Sequence, residues 1–376
     1  MIYLDHNAST PVDPEVADAM YSALRSVFGN PSSTHGIGLR AHAAVEQARA
    51  LVAGCIGVSP SEVIFTSGGT ESNNLAISGM ALQKGKGHII SSVIEHPSVM
   101  NPCRQLARSG FDVTYVPCRA DGTVGVQEIE NAMRKETILI TIMHANNETG
   151  VLQPIEEIGA LAREKGIPLH VDAAQTVGKI PVDAAALNVD MLTIVSHKFY
   201  GPKGTGALYL RKGLQISPIL FGAGHEGGMR PGTENVPGIV GLGKACEMTS
   251  ASVRERADHI QNITALLYNG LRERLPEVRV NGHPTLRLPN TLNICIPGAD
   301  ASDLLEKIKD HVAASPGSAC HSGQKTPSAV LMAMGMSEAD ALSSLRLSTG
   351  KDMTEDEIRE AVEIIAVAAR SLRQER

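Results

Sequence analysis

Two polar residues that follow neighbouring apolar segments could together form a catalytic centre. Asp172 follows residues 167–171, and Lys198 lies three residues after residues 191–195. Short apolar runs bounded by turn residues predict buried strands of a parallel sheet, and such sheets bind ligands beyond the carboxyl ends of their strands. A lysine and an acid in one pocket suit pyridoxal phosphate, because the lysine forms a Schiff base and the acid keeps the pyridine nitrogen protonated. A structural ion pair explains these two residues equally well.

A glycine turn earlier in the chain predicts a phosphate site. Residues 62–66 have the pattern of a strand, residues 67–70 read Ser-Gly-Gly-Thr, and helical spacing continues to residue 82. Glycines let backbone N–H groups approach an anion, and a helix N-terminus adds partial positive charge. The turn is neither a Walker A loop nor a GxGxxG motif. An ordinary capped helix start is an equally good interpretation of this pattern.

Two further polar residues follow predicted strands and are expected at the same edge of the sheet. His96 comes after residues 88–93, and Asn147 lies in a polar cluster after residues 138–143. An imidazole there could stack on an aromatic ring or move protons, although a lone histidine is more often structural. The amide of Asn147 could donate a hydrogen bond to a ring oxygen.

The last third of the chain contributes a cysteine and an arginine in unusual settings. Cys320 is surrounded by small and turn residues, and the neighbouring His321 and Lys325 favour thiolate character. A buried core cysteine is the usual alternative, but this stretch predicts an accessible loop. Arg346 interrupts the apolar strand predicted for residues 342–347, so it either pairs with an acid or binds a ligand carboxylate.

The order of predicted elements indicates an α/β fold with two domains. Strands and helices alternate over residues 60–210, which predicts a mostly parallel sheet with helices on both faces. Asp13 and Pro14 start the first helix as N-cap and first helical residue. A long helix over residues 237–275 leads to a smaller α+β domain, with helices at 301–310, 327–334 and 354–373. We expect a large domain of residues 13–255 and a small domain of residues 1–12 and 256–376.

Composition excludes several classes of function. The chain of 376 residues carries a net charge of −6, so no basic surface suggests nucleic acid or an anionic membrane. No apolar run approaches the roughly 20 residues of a membrane span, and the N-terminus lacks the pattern of a signal peptide. These features predict a cytoplasmic protein. Six scattered cysteines without a CxxC pair argue against a metal site or a disulfide framework.

The motifs in their order identify a family that the whole chain resembles. In chain order they are TSGGTESNN, EHPS, NNETG, HVDAAQ, SHKFYGPKG, RPGTEN and GSACHS. This series is similar to the pyridoxal-phosphate-dependent cysteine desulfurases of the NifS/IscS type in the class V aminotransferase superfamily. The resemblance implies fold type I, with a large cofactor domain, a small domain built from both chain ends, and a homodimer.

The resemblance also implies roles for individual residues. Lys198 would form the Schiff base, Asp172 would pair with the pyridine nitrogen, and Cys320 would be the nucleophile. The other residues expected to hold the cofactor are Gly69, Thr70, His96, Asn147, Gln175, Ser196, His197 and Thr233, the last from the partner subunit. The residues expected to bind substrate are Arg346, Asn7 and His35. His96 is in addition expected to handle protons.

The implied reaction converts L-cysteine to L-alanine and leaves a persulfide on Cys320. The sulfur then passes to an acceptor such as an iron–sulfur scaffold protein, and Cys320 is also a candidate transient cluster ligand. Val195 stands where these desulfurases usually have a phosphate-binding serine, and the neighbouring Ser196 could take over that role. His321 stands where they usually have a threonine. Several motifs look more like those of selenocysteine lyases, so selenide release is the alternative. An aminotransferase, a β-lyase and a catalytically silent partner subunit are the remaining interpretations.

Overall fold

A central seven-stranded sheet organises the larger part of the computed structural model, which describes residues 1–316 and 326–374. The strands are β1 Ile2–Tyr3, β2 Val63–Thr66, β3 His88–Ser92, β4 Asp112–Val116, β5 Thr137–Met143, β6 Leu169–Asp172, β7 Met191–Val195, β8 Gly206–Leu210, β9 Arg279–Val280, β10 Thr291–Cys295, β11 Val312–Ala313, β12 Ser315–Pro316 and β13 Ser344–Ser348. The sheet order is β2-β8-β7-β6-β5-β3-β4, and only β8 runs antiparallel to its neighbours. The mostly parallel sheet is therefore confirmed.

Helices connect these strands and cover both faces of the sheet. They are α1 Pro14–Ser26, α2 Gly36–Cys55, α3 Gly69–Lys84, α4 Pro97–Arg108, α5 Val126–Ala132, α6 Ile155–Lys165, α7 Val236–Arg274, α8 Ala301–Ile308, α9 Ala329–Ala333, α10 Glu338–Leu342 and α11 Glu355–Gln374. Asp13 caps α1 by accepting a hydrogen bond of 2.9 Å from the backbone N–H of Glu15, as its type predicts. The strand predicted for residues 342–347 begins at Ser344, two residues later than predicted. The reason is that α10, which Ser337 caps, extends to Leu342.

Alternation along the strands gives the sheet two apolar faces. In β3, Ile90 packs in a cluster with residues of α1, α2, α6 and α7, whereas Ile89 packs in a second cluster with residues of α3 and α4. Both side chains are fully buried. Because successive strand residues point to opposite faces, a continuous apolar strand requires helices on both sides. Burial of each such side chain contributes roughly 1.5–3 kcal/mol to stability.

A third apolar cluster joins the two ends of the chain. Leu4 packs there with the C-terminal part of α7, with strands β10 and β13, and with α8 and α11. Strands β12, β13, β10 and β9 form an antiparallel sheet, and β1 pairs with β11. We propose that the division between the domains falls within α7, at the boundary predicted from the sequence. In the described residues, no helix is long and apolar enough to cross a membrane.

Candidate active site

A cavity of about 350 Å³ lies beyond the carboxyl ends of β5, β6 and β7. Its wall contains most of the residues that the sequence assigned to a site. They are Asn7, Gly69, Thr70, His96, Asn147, Asp172, Gln175, His197, Lys198 and Arg346. These residues come from distant parts of the chain, since Asn7 and Arg346 line the cavity together with residues that follow strands of the large sheet.

Asp172 is held by two donors at the end of β6. Its Oδ1 accepts the backbone N–H of Ala174 at 3.0 Å, and its Oδ2 accepts the side-chain amide of Asn73 at 2.8 Å. The same Asn73 nitrogen donates to Ser98 Oγ at 2.8 Å. The carboxylate is 6% exposed. Donors to both oxygens fix its orientation, so that it can pair with a cationic group inside the cavity.

His96 is held as a neutral imidazole with its Nδ1 unprotonated. The backbone N–H of Ser98 donates to His96 Nδ1 at 3.1 Å, so this nitrogen is an acceptor. Since Ser98 Oγ accepts from Asn73, its hydroxyl proton is directed to the same Nδ1, 2.7 Å away. Burial lowers the pKa of His96. The charge of Asp172 raises this pKa, and the charge of Lys198 lowers it. The proton of neutral His96 therefore lies on Nε2.

Lys198 follows β7 in a short 3-10 turn, Ser196–Lys198. Its Nζ donates to the backbone carbonyls of Asn7 at 2.7 Å and Ala8 at 2.9 Å. Burial lowers the pKa of Lys198 to about 8, with a further lowering by Arg346 and opposing effects of Asp172 and Asp5. A lysine with this pKa supplies a substantial fraction of neutral amine near pH 8, which is the form that attacks a carbonyl group.

Arg346 presents an unused donor in a buried position. Its Nη2 pairs with Asp5 Oδ1 at 2.8 Å, and its Nη1 donates to the carbonyl of Asn147 at 3.1 Å. Its Nε is buried and has no partner among the described residues. A buried guanidinium with an unsatisfied N–H is suited to a ligand carboxylate, which accepts two parallel hydrogen bonds.

The start of α3 also lines the cavity, through Gly69 and Thr70. Gly68 has a φ of +140°, which glycine adopts readily, and a Cβ at Gly69 would lie 2.8 Å from Val195 Cγ2. The glycines thus bring the N-terminus of a 16-residue helix against the cavity. His197 lines the cavity as well, and burial, Lys198 and Lys203 lower its pKa to about 4. The backbone N–H groups there suit an anion such as a phosphate.

The structure does not bring three of the predicted residues to the cavity. Ser196 Oγ is buried without a partner in the described residues and lies 2.1 Å from where a Cβ of Gly201 would be. Val195, His197 and Lys198 line the cavity, and Ser196 does not. His35 caps α2 in a separate hollow, and Thr233 is exposed. Cys320 lies outside the described residues.

Two buried residues near the cavity were not found from the sequence. Lys179 donates hydrogen bonds from Nζ to Asn7 Oδ1 at 2.7 Å and to Gln175 Oε1 at 2.6 Å. Glu95 accepts hydrogen bonds at Oε1 from Ser92 Oγ at 2.6 Å and from the backbone N–H of Met143 at 3.0 Å. Lysine and glutamate are mostly exposed, so their types gave no signal of burial. The spacing of Lys179, four residues after Gln175 in a turn, was the available clue.

Glu95 is expected to be protonated, and this has a measurable consequence for stability. Burial raises its pKa from 4.5 to about 8, and Asp172 adds to the rise. Because the unfolded carboxyl ionises at lower pH than the folded one, Glu95 costs stability as pH rises from about 5 to about 8. Glu95→Gln keeps the shape and removes this cost. The variant's advantage in free energy of unfolding should therefore grow between these two pH values.

Urea unfolding at about pH 5 and about pH 8 measures this difference. Glu164→Gln, on an exposed part of α6, is the control and should show no such pH-dependent gain. An equal free-energy difference for Glu95→Gln at both pH values would mean that Glu95 is ionised in the folded protein.

The residues of the cavity fit pyridoxal phosphate. A volume of about 350 Å³ is in the range of small-molecule sites, and three charges converge on it from Asp172, Lys198 and Arg346. The oriented carboxylate suits the pyridine nitrogen, and the start of α3 suits the phosphate. The unpartnered Arg346 Nε remains for an amino-acid carboxylate. The fold and the site therefore define a pyridoxal-phosphate-dependent enzyme of fold type I.

Comparisons with known proteins agree with this class. Residues 2–360 match the family model described as aminotransferase class-V. Cysteine desulfurase IscS of Methanosarcina thermophila is 44% identical over 376 residues, which cover 99% of this chain and 93% of the relative. The chain belongs to the class-V aminotransferases and, within them, to the cysteine desulfurases of the IscS/NifS type, which depend on pyridoxal phosphate.

Solved structures support the same assignment. A NifS-like protein superposes with a TM-score of 0.92 at 38% identity, and the match covers 97% of this chain and 98% of that one. The structure of SspA in complex with cysteine gives a TM-score of 0.82 at 40% identity, with coverages of 93% and 98%. The predicted fold class, family and cofactor are confirmed.

Proposed function

We propose that this enzyme removes sulfur from L-cysteine, releases L-alanine and transfers the sulfur through Cys320. The observation that carries the proposal is the convergence of Lys198, Asp172 and Arg346 on one cavity, with the buried Nε of Arg346 unpartnered among the described residues. This set provides an amine, an acid and a carboxylate-binding donor within a space of amino-acid size. The name of the relative, cysteine desulfurase, and the cysteine bound to SspA support the same substrate.

Each residue of the cavity has a separate task. The bound cofactor supplies an electron sink that stabilises the carbanion left when the α-proton of the amino acid is removed. Arg346 binds the substrate carboxylate, and the neutral amine of Lys198 removes the α-proton. Asp172 holds a proton on the pyridine nitrogen through its charge. Neutral His96, with its proton on Nε2, is positioned to pass protons to and from the substrate.

Cys320 is proposed to accept the sulfur. Its thiolate attacks the sulfur of bound L-cysteine, and an S–S bond forms as the Cβ–S bond breaks. The electron pair of the broken bond returns to the substrate carbon, where protons complete the methyl group of alanine. One L-cysteine and one enzyme thiol thus give one alanine and one enzyme persulfide. A second thiol, on an acceptor such as an iron–sulfur scaffold protein, then takes the outer sulfur.

A single-turnover experiment tests the function. The enzyme is mixed anaerobically with one equivalent of L-cysteine, quenched without a reductant, and digested for mass spectrometry. We expect one equivalent of alanine and one additional sulfur atom on the peptide that contains Cys320. Alanine without sulfur on that peptide would refute the role of Cys320, and no alanine would refute the function.

Arg346→Lys is expected to raise the KM for L-cysteine by about 10-fold to 100-fold, because a lysine cannot form two parallel bonds to a carboxylate. The value of kcat should change much less, since the carboxylate is bound equally in the ground and transition states. Steady-state kinetics measure both constants. Arg287→Lys, at a half-buried arginine that bonds only backbone carbonyls in the described residues, is the control. A fall in kcat at unchanged KM would contradict carboxylate binding.

A homodimer is also proposed, in which Thr233 of the partner subunit reaches the cofactor phosphate. Several exposed large apolar side chains of the single chain lie around α1 and α2, and two more are Leu220 and Phe221. Tyr21, Phe28 and Phe221 are 60%, 73% and 85% exposed. Such a surface is typical of an interface. A sedimenting mass of one chain would contradict the proposal.

The cytoplasmic location stays a prediction, which cell fractionation tests.

A further inference from the structure

Lys179 is a buried lysine beside the active site that none of the proposed roles uses. Its side chain is 6% exposed, and its Nζ donates to the amide oxygens of Asn7 and Gln175. Within the described part of the chain it forms no ion pair with a carboxylate, although buried lysines normally have such a partner. A lysine kept in this position without a counter-charge suggests that its donors have a specific task.

The turn after β6 directs Lys179 and Gln175 to the same side. The two residues are four apart, and backbone bonds from Val177 to Ala173 and from Ile180 to Thr176 give this stretch a helix-like spacing. Gly178 has a φ of +85°, and a Cβ there would lie 2.2 Å from Phe199 Cβ. Glycine at this position therefore permits the turn that brings Lys179 beneath the cavity.

Lys179 fixes which way two side-chain amides point. An amino group donates to both amides in either charge state, so both amide oxygens must face it and both amide nitrogens must face away. Gln175 Nε2 accordingly donates to the backbone carbonyl of Asn7 at 3.1 Å, the same carbonyl that Lys198 Nζ contacts. Asn7 Nδ2 donates to Thr291 Oγ1 at 2.9 Å. Gln175 lines the cavity, and within the described part of the chain its Nε2 donates to no second acceptor.

We propose that Lys179 is a positioning residue that holds the amide nitrogen of Gln175 toward the ring oxygen of bound pyridoxal phosphate. Without the lysine, the amide of Gln175 can turn over and present its oxygen to an anionic ring oxygen. This inference rests on the proposed role of Gln175 in cofactor binding. Burial lowers the pKa of Lys179, and the nearby Lys198 and Arg346 lower it further, so Lys179 acts through its N–H donors and not through a charge.

Lys179→Met tests the inference, because methionine has a similar length and no donor. A donor to the ring oxygen disfavours protonation of the Lys198–cofactor linkage. Loss of this donor should therefore move the pH midpoint of the cofactor's absorption change upward by at least about half a unit. The value of kcat should fall by about 10-fold to 100-fold, the effect of one hydrogen bond to a charged group. Thr176→Val removes a hydroxyl in the same turn and should change neither quantity.

A merely structural lysine gives a different result. Lys179→Met would then lower the melting temperature but leave the absorption midpoint and kcat as in the parent, and this outcome overturns the inference. If the variant does not fold, Lys179→Gln, which is shorter and neutral, is titrated and judged by the same two readouts. Gln175→Leu separates the two proposals. An unchanged midpoint in that variant refutes the role of Gln175, whereas a change there with none at Lys179 refutes only the role of Lys179.

Discussion

Replacement of Lys198 by alanine is expected to abolish turnover of L-cysteine, with a fall in kcat of at least about 1,000-fold. No other lysine amine lines the cavity in the described residues, so no second group can take its place. The variant should also lose the absorption band near the visible edge that the cofactor shows when it is joined to a lysine. Its melting temperature should remain close to that of the parent, because Lys198 Nζ contacts only two backbone carbonyls.

Lys203→Ala is the matched control for this variant. Lys203 lies five residues after Lys198 and is exposed. If Lys198 is the lysine that holds the cofactor, the Lys203→Ala variant keeps the absorption band and the activity. Spectra and alanine production are measured for both variants after incubation with pyridoxal phosphate. A retained band in Lys198→Ala would show that another amine holds the cofactor and would remove the basis of the proposed site.

Asp172→Ala is expected to give the second largest loss, a fall in kcat of about 100-fold to 1,000-fold. The carboxylate is the acid oriented toward the cavity by two donors, and its charge keeps the pyridine nitrogen protonated. Cofactor binding through Lys198 should persist, so the absorption band remains although its position changes. The loss thus appears in kcat rather than in the amount of bound cofactor.

Asn73→Ala separates the charge of Asp172 from its hydrogen bond. This variant removes the donor to Oδ2 and leaves the carboxylate in place, so its kcat should fall by no more than about 10-fold. Steady-state kinetics and spectra of both variants give the comparison. Equal losses in the two variants would mean that orientation of the local hydrogen-bond chain, rather than the charge of Asp172, carries the effect.

Strand ends were the part of the site that could be predicted from the sequence. Residues 191–195 have the predicted bounds, Asp172 lies at the end of β6, and Lys198 lies three residues after β7 as expected. The type of a residue at a strand end fixes its place in a parallel sheet, because all carboxyl ends meet at one edge. Local pattern was sufficient wherever a single strand and the residue after it determined the position.

Other features depend on contacts that no local pattern contains. Helix α2 begins at Gly36 because the imidazole of His35 caps it, and a histidine is not among the residues that predict a helix start. Ser196 and Val195 were ambiguous until the direction of each side chain was known. Lys179 was missed because a lysine in a loop is expected to be exposed. Its burial results from packing of the N-terminal residue Asn7 against the turn after β6, a contact between distant parts of the chain.

The most direct test of the proposed activity is anaerobic alanine production from L-cysteine and from L-selenocysteine, by the purified enzyme and by Cys320→Ala. A desulfurase turns over L-cysteine, and the variant loses this activity while it still cleaves L-selenocysteine. Loss of only the cysteine reaction is expected because selenium leaves without attack by a thiolate, whereas sulfur requires it. Essentially no alanine from L-cysteine, together with fast cleavage of L-selenocysteine, would contradict the account and identify a selenocysteine lyase.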